Sequence, residues 1–265
     1  MDTVVLHPRL PFAPWADPRT RRLPGILPLD PADWLVVDEV YAEQMRLRDR
    51  LIAEREPEVH ALLPRGEAAA AELYAAVLAR LPDLGFTIEA GQATRPDGVT
   101  VPLDPARPLR TLGRLCQEDF CLMDQGAGED EPVLTGAILC FPSGWRLSEK
   151  IGRAMVRIHR PVAKYDADVA RRVQRLFDAI RPEQPLWRAN AHFARAPLFN
   201  PLSEAQGKDL AESEMPWIRS ERQCLLRLPQ TRAVVFSIHT YLVPLAALSP
   251  EQAAALAEHT PHRAP

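Results

Sequence analysis

Between Phe141 and Tyr165 an apolar run turns at Pro142-Ser143-Gly144 and then brings Trp145, Lys150, Arg153 and His159 into one short stretch. Ile158 and Val162 make the surroundings of His159 apolar, and Pro161 fixes the backbone just beyond it. An imidazole held in an apolar wall suits a haem iron as its proximal ligand. A buried histidine bonded to a carbonyl is the competing reading. Lys150 and Arg153 precede His159 on an expected helical turn with Ser148 as its N-cap. At a pocket rim they would pair with the two propionates of a haem; as isolated residues they would be solvated surface charge. Trp145 offers either an apolar plane for a ligand or a core side chain.

Of the seven histidines, His7, His259 and His262 lie in terminal segments and are expected to be solvated. His60, just past Pro57, is expected at the surface. That leaves His159, His192 and His239. Strand alternation adds further candidates. In "SERQCLLRL", Arg222 shares a face with Cys224, Leu226 and Leu228, where an unpaired guanidinium would be unfavourable; the other face carries Glu221, Gln223, Leu225 and Arg227. In "AVVFSIHTYL", Val234, Phe236 and Ile238 share one face and Ser237, His239 and Tyr241 the other. That second face is either solvent-exposed or the lining of a pocket. Cys140, ending an apolar run, is a reserve thiolate ligand or inert packing.

Other chemistries are poorly supported. There is no GxxxxGK[ST] loop, GxSxG elbow or HExxH pair. Gly126-Ala127-Gly128 precedes Glu129, Asp130 and Glu131, whose charge would repel phosphate, so a hairpin turn is expected. Cysteines 116, 121, 140 and 224 have no CxxC spacing, which excludes the usual zinc and iron–sulfur patterns and predicts reduced thiols. Net charge is −3 and no basic block suggests nucleic acid. No apolar run is long enough to span a membrane, and "MDTVVLHPRLPF" does not read as a signal peptide, so a cytoplasmic protein is expected.

The elements that must position these residues follow from periodicity. Residues 1–37 are rich in Pro, Arg and Trp and non-periodic; Phe12, Trp15, Ile26, Leu27 and Trp34 need burial, so this is an arm laid over something else. Tyr41, Met45, Arg48 and Ile52 lie on one helical face within residues 39–55. A second helix is expected over 67–81 with Ala70, Leu73, Tyr74, Val77, Leu78 and Leu81 as its stripe. Loop follows, with a small hairpin at Thr100–Leu103. Strands are expected at 120–123, 133–141 and 186–193, a helix at 167–180, a hairpin from 220–228 and 233–242 around "LPQT", and a short helix after Pro250. The expected architecture is α+β: an antiparallel sheet with helices on one side. The expected division is an arm and helical extension over 1–110 and the sheet domain over 111–265, forming one compact unit.

The stretches "RRLPGILPLDPADWLVVDEVYAEQMRLRDRL" at 21–51, "FPSGWRLSEKIGRAMVRIHRPVAKY" at 141–165, "WRAN" at 187–190 and "SERQCLLRLPQTRAVVFSIHTYLVPL" at 220–245 resemble the haem-dependent oxidative N-demethylase family, in order and over most of the chain. The resemblance implies a PAS-like sheet that holds haem b, with extra helices around it. It implies oxidative removal of a methyl group from a small secondary amine such as dimethylamine, using O2 and releasing formaldehyde. Electrons would come from NADPH through separate flavin and iron–sulfur reductase subunits, which agrees with the missing fingerprints. Its motifs contain His159 as candidate axial ligand, Lys150, Arg153, Trp145, Asn190 and Arg222 as candidate cofactor-binding residues, and Glu221. On that reading Glu221 would bind the cationic amine, and Tyr241 or His239 would donate a hydrogen bond to dioxygen. Three positions depart from the family pattern: Ala163 for Pro, Ala191 for Trp, and His239 for Arg. A haem-binding PAS-like sensor or carrier without turnover is the alternative.

Overall fold

A computed structural model describes residues 4–21, 24–126, 128, 129, 131–155, 158, 175–202 and 215–259. Its largest element is a seven-stranded antiparallel sheet. The strands are β1 (Leu27–Pro28), β2 (His60–Leu62), β6 (Asp119–Asp124), β7 (Val133–Ile138), β8 (Leu186–Ala194), β9 (Trp217–Arg227) and β10 (Val234–Pro244). They lie in the order β1-β8-β9-β10-β6-β7-β2. A three-stranded sheet, β3 (Thr87–Glu89), β4 (Gln92–Thr94) and β5 (Thr100–Pro102), stands where the sequence suggested only a small hairpin at 100–103. Each of these strands is three residues long, too short for alternation to be read.

The helices are α1 (Tyr41–Glu54), α2 (Glu56–Val59), α3 (Glu67–Leu78), α4 (Pro108–Gly113), α5 (Leu147–Lys150) and α6 (Pro250–Glu258). In α1 the expected stripe is the buried face: Tyr41, Met45, Arg48 and Ile52 are all buried. The β9–β10 hairpin turns where expected, with Arg232 in the left-handed region at φ 65°. Glu72 of α3 holds that turn, accepting hydrogen bonds from the Gln230 and Thr231 amides at 2.8 Å each.

Helices pack on both sides of the sheet, not one. The larger core joins α1, α3 and α4 to Phe120, Leu122, Ile138, Cys224 and Val235 on one face. A second cluster joins Leu147, Met155, Phe177 and Ile180 to Cys121, Met123, Leu225 and Ile238 on the other. A one-sided reading fails because each strand of the β9–β10 hairpin is apolar or buried on both faces, and each face needs a cover. We call the first the arm face, because His7, Phe12 and Trp34 of the N-terminal arm lie against it, and the second the crossover face. Leu147, Met155, Phe177 and Ile180, on the connection from β7 to β8, pack on the crossover face. That connection must cross the sheet, because β7 and β8 stand four places apart in the strand order.

The arm covers its own chain. Trp34 donates its Nε1–H to Ser237 Oγ at 3.0 Å, Phe12 packs edge-on against Tyr241, and β1 pairs with β8. Strand β2 pairs with β7 at the opposite edge, so both margins of the sheet come from residues before 110. Arg48, its side chain 0% exposed, is paired with Asp119 at 2.7 Å. Its other N–H groups bond the Gly113, Gln117 and Glu118 carbonyls, and Asp119 accepts the Cys140 and Phe141 amides. A buried ion pair is tolerable only when its remaining donors and acceptors are filled in this way.

Candidate functional site

Pairing register decides which candidate residues meet. His239 lies opposite Arg222, which lies opposite Ala189; Glu221 lies opposite Asn190 and Thr240. Consecutive strand residues point to opposite faces. Arg222, His239 and Tyr241 therefore lie on the arm face, and Asn190 and Glu221 on the crossover face. The structure does not bring the two sets together.

On the crossover face, β8 presents Arg188, Asn190 and His192, β9 presents Arg219, Glu221 and Gln223, and β10 presents Thr240. Glu221 is the centre of this patch. It accepts from Arg219 Nε at 3.1 Å, Asn190 Nδ2 at 3.2 Å and Gln223 Nε2 at 3.0 Å. Burial alone would raise its pKa, but the Arg219 guanidinium, His192 and these donors hold it below the ordinary carboxylate value. Arg219 is itself anchored to the Leu198 and Phe141 carbonyls, which ties the patch to the loops on either side. His192 lies 3.2 Å from Ser143 Oγ of the crossover connection. Burial drives its pKa down to about 4, so its ring is neutral at pH 7.

Three buried polar atoms on this face have no hydrogen-bond partner among the described residues: Arg188 Nε, Asn190 Oδ1 and Thr240 Oγ1. Most buried polar groups in folded proteins are paired, and an orphan costs about 1–3 kcal/mol. His60 Nε2, Glu118 Oε2 and Glu149 Oε2 are orphans elsewhere, but these three gather on one face of three adjacent strands, which makes this face a candidate ligand site. Arg188 and Arg219 were not singled out from sequence, and His192 and Gln223 were noted there without a role. The signal was present in "WRANAHF", where Arg188, Asn190 and His192 alternate with Trp187, Ala189 and Ala191.

The arm-face residues are otherwise engaged. His239 sits between two carboxylates, with Nε2 3.0 Å from Asp38 and Nδ1 3.1 Å from Glu118. Burial opposes its charge, but the two carboxylates outweigh that and raise its pKa to about 9, so it is an imidazolium. Asp38 also meets His7 Nε2 at 2.9 Å. His7, expected to be solvated, is instead buried, because its Nδ1 accepts the Leu242 amide and its own amide pairs with the Leu242 carbonyl. The ligand atoms of His7, Asp38 and His239 all lie within 4.8 Å of one another. Since His7 Nδ1 accepts a hydrogen bond, its Nε2 carries the proton, and each contact in the group is a hydrogen bond as it stands. Tyr241 packs between His7, His239 and Phe12. Arg222 donates to the Trp34 and Asp33 carbonyls and lies over the Trp187 ring at 5.6 Å. A cleft of about 220 Å³ opens beside His7, Asp38 and Tyr241. The two imidazoles and Asp38 beside it are already bonded to one another, so the crossover face is the stronger candidate site.

The remaining candidates lie along the crossover connection. Trp145 packs against the second core cluster. Lys150 is buried and donates to the Ile158 carbonyl at 3.0 Å. Arg153 is exposed, and its carbonyl accepts the Leu134 amide. The N-cap position of α5 falls on Arg146, and Ser148 lies within the helix. Ile158 packs on the crossover face; His159, like most of the expected helix at 167–180, lies outside the described residues. Cys140 is fully buried, and burial pushes its thiol up to about 12, so it is not a thiolate at pH 7. His60 is half-buried against Glu56, and burial lowers its pKa.

A polar patch of two arginines, one carboxylate and unfilled hydrogen-bonding atoms, on an antiparallel α+β sheet, is the candidate ligand site. The chain belongs to the family described as haem-dependent oxidative N-demethylase, alpha subunit-like, which it matches over residues 25–261.

Proposed function

We propose that this chain is the haem b-binding catalytic subunit of an oxidative N-demethylase, with its site between the crossover connection and β8, β9 and β10. The overall reaction would take a secondary N-methylamine, O2, two electrons and two protons to the demethylated amine, formaldehyde and water. The electrons would come from NADPH through partner reductase subunits carrying flavin and an iron–sulfur cluster, in the cytoplasm. The observation that carries the reading is the set of unspent polar atoms on the crossover face in a member of this family. The topology supports it too. Numbered in chain order, the central strands β6, β7, β8, β9 and β10 lie in the order 2-1-5-4-3 of a PAS-like sheet, whose ligand site is roofed by the link between its second and third strands.

Haem, when bound, supplies the activation of O2 and the oxidation of the methyl group next to nitrogen. The chain's residues supply the rest. His159 would ligate the iron, and Lys150, Arg153 and Trp145 would help to hold the group. Glu221 is the proposed anchor for the ammonium, since Arg219 and Asn190 keep it ionised and fixed. His192 stays neutral and so adds no charge to repel a cation. Leu147, Met155, Phe177 and Ile180 close the same face beside the patch, over Leu225 and Ile238. His239, Tyr241 and Arg222 hold the arm on the opposite face.

The test is spectroscopic. Protein purified from haem-replete cells should show a Soret band, and His159→Ala should abolish it or shift its ferrous–CO form. With a reductase, NADPH and dimethylamine or another secondary methylamine, formaldehyde should appear. A colourless preparation would overturn the reading. Haem binding without turnover of any methylamine would make the chain a sensor or carrier.

A further inference from the structure

The unspent groups on the crossover face are chemically specific. Arg188 is a guanidinium with a buried Nε and no hydrogen bond or ion pair among the described residues. Burial disfavours its charge, and Glu221, close enough to be felt but not bonded, opposes that. Asn190 contributes an acceptor. Its Nδ2 must face Glu221, because a carboxylate only accepts, so Oδ1 is the atom left over. Thr240 contributes a hydroxyl. Arg188 and Asn190 are two apart on one strand, so their Cα atoms stand roughly 7 Å from each other on the same face.

A complementary ligand brings an anion for the guanidinium and an N–H for the amide oxygen, a short molecule apart. A plain dialkylamine has no anion to offer. Resting on the function proposed for this site, we propose that its substrate is an N-methylated amino acid: Arg188 binds the carboxylate, Asn190 Oδ1 accepts an N–H of the amine, and Glu221 balances the positive nitrogen. Arginine matches a carboxylate with two parallel N–H bonds, which lysine cannot do. Demethylation would release the parent amino acid and formaldehyde, with the same electron source. A propionate of the porphyrin is the other carboxylate that could meet Arg188, and the experiment separates the two.

Isothermal titration calorimetry on the purified protein, with N-methylglycine and dimethylamine as probes and haem per chain measured on each sample, tests this. The wild type should bind N-methylglycine tighter than dimethylamine by about tenfold or more. Arg188→Met should abolish that preference through loss of N-methylglycine affinity, with haem content retained. Should Arg188→Met fold poorly, Arg188→Lys keeps the charge without the fork and should lose most of the preference. Equal affinity for the two amines in the wild type would overturn the proposal. So would loss of haem from Arg188→Met with the preference intact, which would assign Arg188 to a propionate. Wild-type protein without haem would refute the function proposed above, while its calorimetry would still decide the carboxylate site.

Discussion

Replacing His239 with glutamine should remove a pH dependence of stability whose size follows from its setting. The imidazole lies 3.0 Å from Asp38 and 3.1 Å from Glu118, buried beneath the arm. Its pKa rises from the ordinary 6.5 to about 9. At about 1.4 kcal/mol per unit, that is roughly 3 kcal/mol of stabilisation. Because the folded value is raised, this contribution is complete below 6.5 and is lost as pH rises through about 9. Asp38 has the opposite sign. Burial opposes its ionisation, but His239 and His7 depress its pKa strongly, so its contribution is present above 3.8 and is lost as pH falls. The two shifts describe one interaction from its two ends and are not added.

Urea unfolding of the wild type should therefore show a plateau from about pH 5 to 6.5 and a decline of roughly 3 kcal/mol by about pH 9.5. His239→Gln should be less stable by roughly 3–5 kcal/mol at pH 7, since Asp38 and Glu118 are left buried without their cation. It should lack the alkaline decline attributable to this network, so the two curves converge toward pH 10. An NMR titration should place the His239 midpoint near 9. Parallel stability curves through pH 9, or a midpoint near 6.5, would refute the argument.

Other substitutions test other parts of the structure. Arg48→Met strands Asp119 in the core and should destabilise the protein by about 3–5 kcal/mol in urea titrations. Glu221→Gln should weaken amine binding by about tenfold or more in calorimetry, because the ammonium loses its counter-charge; unchanged affinity would remove Glu221 from the proposed site. Trp34→Phe removes the Nε1–H donor to Ser237 and should cost about 1–2 kcal/mol in the same unfolding assay, mainly through the orphaned hydroxyl.

The sequence carried the elements better than their company. The α1 stripe, the 217–244 hairpin and the strands at 119–124 and 186–194 were legible because period and length both pointed the same way. The faces of β9 were legible too: alternation alone separates Glu221 from Arg222. What alternation lacks is the partner. Nothing local to Asp38 or His7 says that they meet His239 some two hundred residues away, so His7 reads as a solvated terminal residue when it is a buried one. The arm is non-periodic because its shape is set by the surface it covers, and two-residue β1 has no pattern to read. Arg188 was hidden differently. Its type and spacing were in view, but a lone arginine on a strand is usually solvated, and only the burial of its Nε makes it informative.

The charged network under the arm is not the cheapest way to hold a cover in place. Apolar replacement of buried ion networks is often neutral or stabilising, and Phe12, Trp15 and Trp34 already supply apolar area. What the network adds is direction. His239 offers one N–H to Glu118 and the other to Asp38, while Arg222 reaches the carbonyls of Asp33 and Trp34. Three of these contacts, to Asp38, Asp33 and Trp34, reach the arm, so a shift of the arm by one residue would break all three together. Arg222 and Glu221 are adjacent on β9, and His239 and Thr240 on β10. A cover that fixes Arg222 and His239 on one face thereby fixes the backbone that presents Glu221 and Thr240 on the other. A coupling of this kind makes the arm part of the site's support without placing any arm residue in the site. On this argument His239→Gln should lower amine affinity as well as stability, whereas Arg48→Met, which leaves β9 and β10 untouched, should lower stability with amine affinity retained in the folded fraction.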